Sequence, residues 1–178
     1  MVDECNDYIA YLNTFPSSTT RDEEILRTEE IIEECLEDLH DWNKKVKEYP
    51  TAAQVWRWAT EEMGFSNYVA AGIVGNMMAE VGGHTLALKP NTRVGNYYGL
   101  CMWYLKYSPR VNGRNTAGQL DFLAQTMKSN MGASNYKALL RSKSAAEASI
   151  IFAKYYERCA NPYGRQKDAI RAYRFFAT

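Results

Sequence analysis

One segment of this chain has to be buried on all sides, and that decides much about what the chain can fold into. From Ser66 or Asn67 to Glu80 the residues are small and apolar, with Ala71, Gly75 and Ala79 in a stripe at i, i+4 spacing. Such a stripe lets a second helix approach closely, so the pattern predicts a central helix inside a helical domain. Glu80 closes it. A carboxylate there faces the negative end of the helix macrodipole, the setting that a general acid needs. No second Asp or Glu follows until Asp121.

The stretch between those two acids reads differently from its surroundings. Gly82, Gly83, Pro90, Gly95, Gly99, Pro109, Gly113 and Gly118 punctuate short aromatic segments across 82–118, which predicts loops with a small hairpin. Helical periodicity returns in Leu120, Leu123, Met127 and Met131, with Asp121 in the first turn. It returns again behind a Ser144/Glu147 capping box through Ala148, Ile151, Phe152, Tyr155 and Cys159. Asn161 and Pro162 open a last helix with Ala169, Ile170 and Tyr173 inward. The expected fold is mainly α, a helical domain interrupted once by an irregular lobe.

Upstream, Thr20 and Glu23 form a capping box. Behind it Ile25, Thr28, Ile32, Cys35, Leu39, Trp42 and Val46 keep a heptad spacing, predicting one helix over 21–47. Its seam must bury itself on the C-terminal domain, on the segment before Pro16, or on another chain. Pro50 breaks that helix, and Thr51 caps the next, with Ala52, Val55, Trp56, Ala59 and Met63 on one face and Gly64 at its end. The domain boundary is placed here, giving an acidic arm over 1–48 and a domain over 49–178.

Charge follows the same division. Residues 1–48 hold 14 of the 21 acids and 5 of the 21 basic residues, which leaves that part at −9 and the remainder at +9. A basic domain with an acidic arm suits an anionic target, nucleic acid or a bacterial wall polymer. The basic residues are scattered rather than aligned along one helix, so nucleic acid is not expected. No apolar run reaches the roughly 18 residues of a membrane span, and the acidic start lacks the pattern of a signal peptide. Cys5, Cys35, Cys101 and Cys159 lack CxxC spacing, which disfavours zinc, and no cofactor is expected. His84 with Cys101 invites a cysteine-peptidase reading, but no third orienting residue stands out.

Four blocks carry a resemblance. Residues 70–82, AAGIVGNMMAEVG, then 98–103, YGLCMW, then 119–123, QLDFL, then 155–158, YYER, together resemble the phage tail lysozyme family, a branch of the lysozyme-like superfamily, over about 50–178. The resemblance implies an α+β lysozyme-like domain that cleaves peptidoglycan between N-acetylmuramic acid and N-acetylglucosamine. It also implies a place in a phage virion or tail, acting in the host periplasm or wall during DNA entry. Glu80 then matches the catalytic general acid, and Gly99, Leu100, Met102 and Trp103 match the substrate-cleft motif. His84, Asn96, Tyr97 and Tyr98 are candidate sugar contacts, and other tail or virion proteins are candidate partners of the 21–47 helix.

Two positions depart from that pattern: Val81 stands where the family has Ser, and Met102 where it has Gln. A thioether hardly hydrogen-bonds, whereas an amide does. An inactive lysozyme-fold module for virion structure or wall binding is therefore the alternative reading. A two-carboxylate glycosidase also needs a second acid at a defined separation. Asp121 is the candidate, with Glu157 read as a structural partner of Arg158 or another basic residue. With Glu80 alone, the acetamido group of the substrate could assist, as in a lytic transglycosylase.

Overall fold

The computed structural model describes residues 2–14 and 19–177 and divides the chain into two compact units, meeting between Lys47 and Glu48. Among the described residues there are eight α-helices and one small sheet, a mainly α architecture.

The first unit consists of α1 (Val2–Leu12) and α2 (Thr19–Glu48). Tyr8 on α1 donates its hydroxyl hydrogen bond to the Glu24 carboxylate of α2 at 2.7 Å. Within the heptad seam Thr28 is buried, Ile25, Ile32, Cys35, Trp42 and Val46 are half-buried, and Leu39 is exposed. Thr28 satisfies its hydroxyl on the Glu24 carbonyl one turn back, at 2.8 Å. The Thr20 side chain of the expected capping box and Pro16 lie outside the described residues.

In the second unit α3 (Pro50–Arg57) begins at Pro50 itself, so Pro50 opens this helix and Thr51, expected to cap it, lies inside its first turn. The reason is that the first helical residue has no use for an N–H and the proline ring already holds a helical φ. The helix runs on through a π turn (Trp58–Glu62), burying Ala52, Val55, Trp56, Trp58 and Ala59. Ser66 then caps α4 (Asn67–Val81), accepting from the Val69 N–H at 3.4 Å.

Helix α4 is the centre of this unit. It packs against both α7 (Ala145–Phe152) and α8 (Gln166–Phe176), and every residue from Val69 to Met78 is buried. The approach is close enough to require glycine on two faces. A Cβ on Gly72 would meet the Ala148 Cβ at 2.7 Å, and one on Gly75 would meet the Ala169 backbone nitrogen at 2.4 Å. Asn76 adds a polar tie at the same depth, donating to the Gly72 carbonyl at 2.8 Å and across to the Ser149 carbonyl of α7 at 3.1 Å.

The irregular lobe contains three two-residue strands, β1 (Arg93–Val94), β2 (Tyr97–Tyr98) and β3 (Trp103–Tyr104), in an antiparallel sheet of order β1-β2-β3. That is one strand more than the expected hairpin. Asn115 caps α5 (Thr116–Met131), accepting from the Gly118 N–H at 2.9 Å, and Leu120, Leu123, Met127 and Met131 are buried as the periodicity required. A short helix, α6 (Ala133–Leu140), follows where none was expected. Helix α7 is capped by Ser144, whose hydroxyl accepts from the Glu147 N–H at 3.1 Å, while the Glu147 carboxylate accepts from the Lys143 N–H at 2.7 Å. A π turn (Ala153–Glu157) prolongs it and ends at Arg158, a non-glycine residue at φ +55. Pro162 heads a 3-10 turn (Pro162–Arg165) that leads into α8. The inward residues of α8 are Ala169, Ala172 and Phe176; Ile170, expected inward, is exposed, because the buried stripe runs at i, i+3, i+7 from Ala169.

Candidate active site

Beside the sheet lies a cleft of about 410 Å³, with Tyr97, Met102, Trp103, Tyr104 and Tyr107 on the lobe side and Phe122, Thr126, Tyr156 and Glu157 on the helical side. Tyrosine and tryptophan faces of this kind bind flat apolar surfaces while their polar tips take hydrogen bonds. One tip is already committed: the Trp103 indole N–H donates to the Tyr156 hydroxyl at 2.9 Å, and that hydroxyl also pairs with Thr126 at 2.9 Å. Burial pushes the Tyr156 phenol well above its usual range, so it stays neutral.

Behind the cleft, Gln119 holds the lobe in shape. Its side chain is fully buried, accepts from the Leu100 N–H at 2.8 Å and donates to the Pro90 and Arg114 carbonyls, each at 2.8 Å. Gly99, at φ +80, passes directly over it; a Cβ there would fall 2.5 Å from the Gln119 oxygen. The next residue but two, Met102, is a non-glycine residue at φ +44, held by a turn in which its N–H donates to the Gly99 carbonyl at 2.9 Å. Strained backbone of this sort is retained where surroundings over-determine it, often at functional sites.

The candidate sugar contacts therefore separate. Tyr97, Met102 and Trp103 line the cleft. Tyr98, Gly99 and Leu100 are buried and support it, Tyr98 through hydroxyl bonds to Asn91 and to the Arg114 carbonyl, both at 3.2 Å. Asn96 is exposed at the turn between β1 and β2, where its carbonyl accepts from the Leu105 N–H. His84 lines a second cavity of about 340 Å³ with Cys159, Asn161 and Arg165; its Nδ1 faces the buried Asp168 carboxylate at 2.6 Å. His84 and Cys101 line different cavities.

Glu80 is not among the residues lining either cavity. Its carboxylate is paired with the Arg165 guanidinium, both side chains being largely buried. A guanidinium has donors only, so the Glu80 oxygen accepts in this pair. Asp121 is exposed and is not among the residues lining the cleft. It falls in the second turn of α5 rather than the expected first, because the helix begins at Thr116.

Glu157 differs most from its expected place. It does not pair with Arg158, which instead donates to the Asn130 carbonyl at 3.3 Å. Both Glu157 carboxyl oxygens are shut off from solvent and have no hydrogen-bond partner. Burial, with the negative charge of Glu80 adding to it and Arg165 offsetting only part, raises its carboxyl to about 8. The same burial, with Glu157 and Glu80 adding to it, pushes the Cys101 thiol up, leaving it neutral and unreactive. A glutamate followed by an arginine reads in sequence as a solvated pair; only the π turn before it and the left-handed Arg158 after it turn Glu157 inward.

None of the four cysteines forms a disulfide, and no cluster that could hold a metal occurs among the described residues. No helix among them is long and apolar enough to cross a membrane.

No curated protein and no solved structure matches this chain. The model of the family described as phage tail lysozyme matches residues 50–176, which takes in α3 to α8, the lobe and both cavities, and by that match the chain belongs to the phage tail lysozyme family.

Proposed function

We propose that this chain cleaves the glycosidic bond between N-acetylmuramic acid and N-acetylglucosamine in peptidoglycan, with its reaction centre at Glu80. Family membership points to lysozyme-like action on peptidoglycan and to a protein associated with a virion. The observation that carries the finer reading is a pair of acids, Glu80 and Glu157, at the end of the central helix and in the wall of an aromatic cleft. The cleft has room for sugar rings, and its aromatic walls suit their faces. Local opening of a host wall by a tail is the corresponding role, with the 1–48 arm as the attachment to other virion proteins.

A turbidity assay on purified wall tests this. The native protein is expected to clear it, and Glu80→Gln to lose activity by about a hundredfold or more, the usual contribution of an acid or base in place. Equal, negligible clearing by both would end the reading. Mass spectrometry of the fragments then separates hydrolysis from transglycosylation, which leaves 1,6-anhydro ends. One observation favours the second reading, a wall-binding module without turnover: Met102 lines the cleft where an amide could have bound a sugar.

A further inference from the structure

We propose that the second cavity is a subsite for a carboxylate of the wall polymer, held by Arg165, Asn161 and His84. This rests on the glycosidase reading and adds to it a part of the substrate other than the sugar rings.

The cavity, of about 340 Å³, is lined by His84, Cys159, Ala160, Asn161, Gly164 and Arg165. That is within the usual size of a small-ligand site. One of its polar groups is unmet. A guanidinium carries five N–H donors. Arg165 engages Glu80 through Nη2, while its Nε is shut off from solvent and bonded to nothing. A buried donor left open is costly, and an arriving acceptor is one way to meet it.

His84 is built into the wall of this cavity rather than left loose upon it. Its side chain is 65% exposed. Its backbone nevertheless lies at φ +63, a conformation that a non-glycine residue keeps only where its surroundings fix it. Three bonds do so here. The His84 N–H donates to the Met78 carbonyl at 3.0 Å, its carbonyl accepts from Arg171, and its Nδ1 pairs with the buried Asp168 carboxylate at 2.6 Å. The ring therefore has a set direction, and Nε2 is the nitrogen that remains for a ligand. Asn161 is fixed in a similar way: its Oδ1 accepts from the Gly164 N–H at 3.3 Å, which leaves the Nδ2 donors.

Charge decides the kind of ligand. Two acids face this region, Glu80 and Asp168, and each is already taken, by Arg165 and by His84. Arg171 brings a further positive charge to the His84 carbonyl and has no ion pair among the described residues. An anion therefore meets donors and a surplus of positive charge, and a carboxylate matches the planar fork of a guanidinium. Peptidoglycan supplies carboxylates beside its sugar rings, on the peptide stem and, where the stem is removed, on the lactyl group of N-acetylmuramic acid. A carboxylate bound here shares a guanidinium with Glu80, which ties the position of the glycan to the acid at the end of α4.

NMR of the full chain with labelled histidine and arginine side chains tests this. Free stem tetrapeptide should shift the His84 ring and Arg165 Nε–H signals; tri-N-acetylchitotriose, which has the sugars without a carboxylate, should leave them in place. Asn161→Asp keeps the capping oxygen but sets a negative charge in the cavity. It should weaken tetrapeptide binding at least tenfold with an unchanged thermal melt, and on wall it should raise KM while sparing kcat. Arg171→Gln, which does not touch that cap, should weaken the binding too. Peptide-stripped glycan strands that shift the signals where the tetrapeptide does not would assign the lactyl carboxylate and uphold the site. No shift with either, or a shift with inorganic phosphate alone, would overturn the proposal, as would native tetrapeptide binding by Asn161→Asp. A native chain that binds the tetrapeptide but clears no wall would end the glycosidase reading and leave the carboxylate site standing.

Discussion

At the scale of single residues, the buried Glu157 sets a dependence of stability on pH. Glu157 has an ordinary value of 4.5 and is raised to about 8 by folding, so between those limits the native state holds a proton that the unfolded state has released. Stability is therefore full below about pH 4.5, falls as pH rises toward 8, and levels off beyond it, with a total on the order of 5 kcal/mol. Urea unfolding at pH 5 and pH 8 measures the fall, and Glu157→Gln should abolish it. A second residue prediction concerns Gln119. Replacing it by Leu leaves the Leu100 N–H and the Pro90 and Arg114 carbonyls without their partner, and stability should drop by about 3 kcal/mol in the same assay. Glu80 was legible as a candidate because position along a helix can be read from periodicity. The state of Glu157 was not, because the charges acting on it, Glu80 of α4 and Arg165 of the 3-10 turn, come from elsewhere in the sequence, and its neighbour Arg158 suggests a solvent-facing pair.

At the scale of elements, the small-residue pattern of α4 was the most informative reading, and its reason is steric. Gly75 has α8 backbone where its side chain would be. Gly75→Ala should therefore force the helices apart and cost about 3 kcal/mol, seen as a lowered melting temperature; the same change on an exposed helix would stabilise. What escaped the sequence is equally physical. Helix α6 buries Leu139 on an otherwise solvated surface, too little apolar periodicity to register. Pro50 follows the end of α2 as expected and is also the first residue of α3, two roles that look alike in sequence when the helices follow closely. On α8 Ala169 lies inward against Gly75 as expected, while the more apolar Ile170 beside it is exposed.

At the scale of the molecule, the unit from Glu48 onward holds its own core and every residue of the candidate site. A protein starting at Glu48 should show a cooperative melt and, if the native chain clears wall, clear it too; loss of the melt on removing residues 1–47 would contradict this. The contact of α4 with α7 and α8 has a further consequence for motion. Where backbones touch without intervening side chains, there is nothing to rotate or slide, so the helix carrying Glu80 cannot breathe without unfolding. On the proposed function, accommodation of a polymer comes from the lobe side of the cleft, whose strands are two residues long and whose turns carry the strained Met102. Amide hydrogen exchange should show this as a contrast within one unit, slow throughout α4 and fast from Arg93 to Tyr104. On the proposed function, a rigid half against a yielding half lets the cleft grip a stiff sugar chain without disturbing the core behind it.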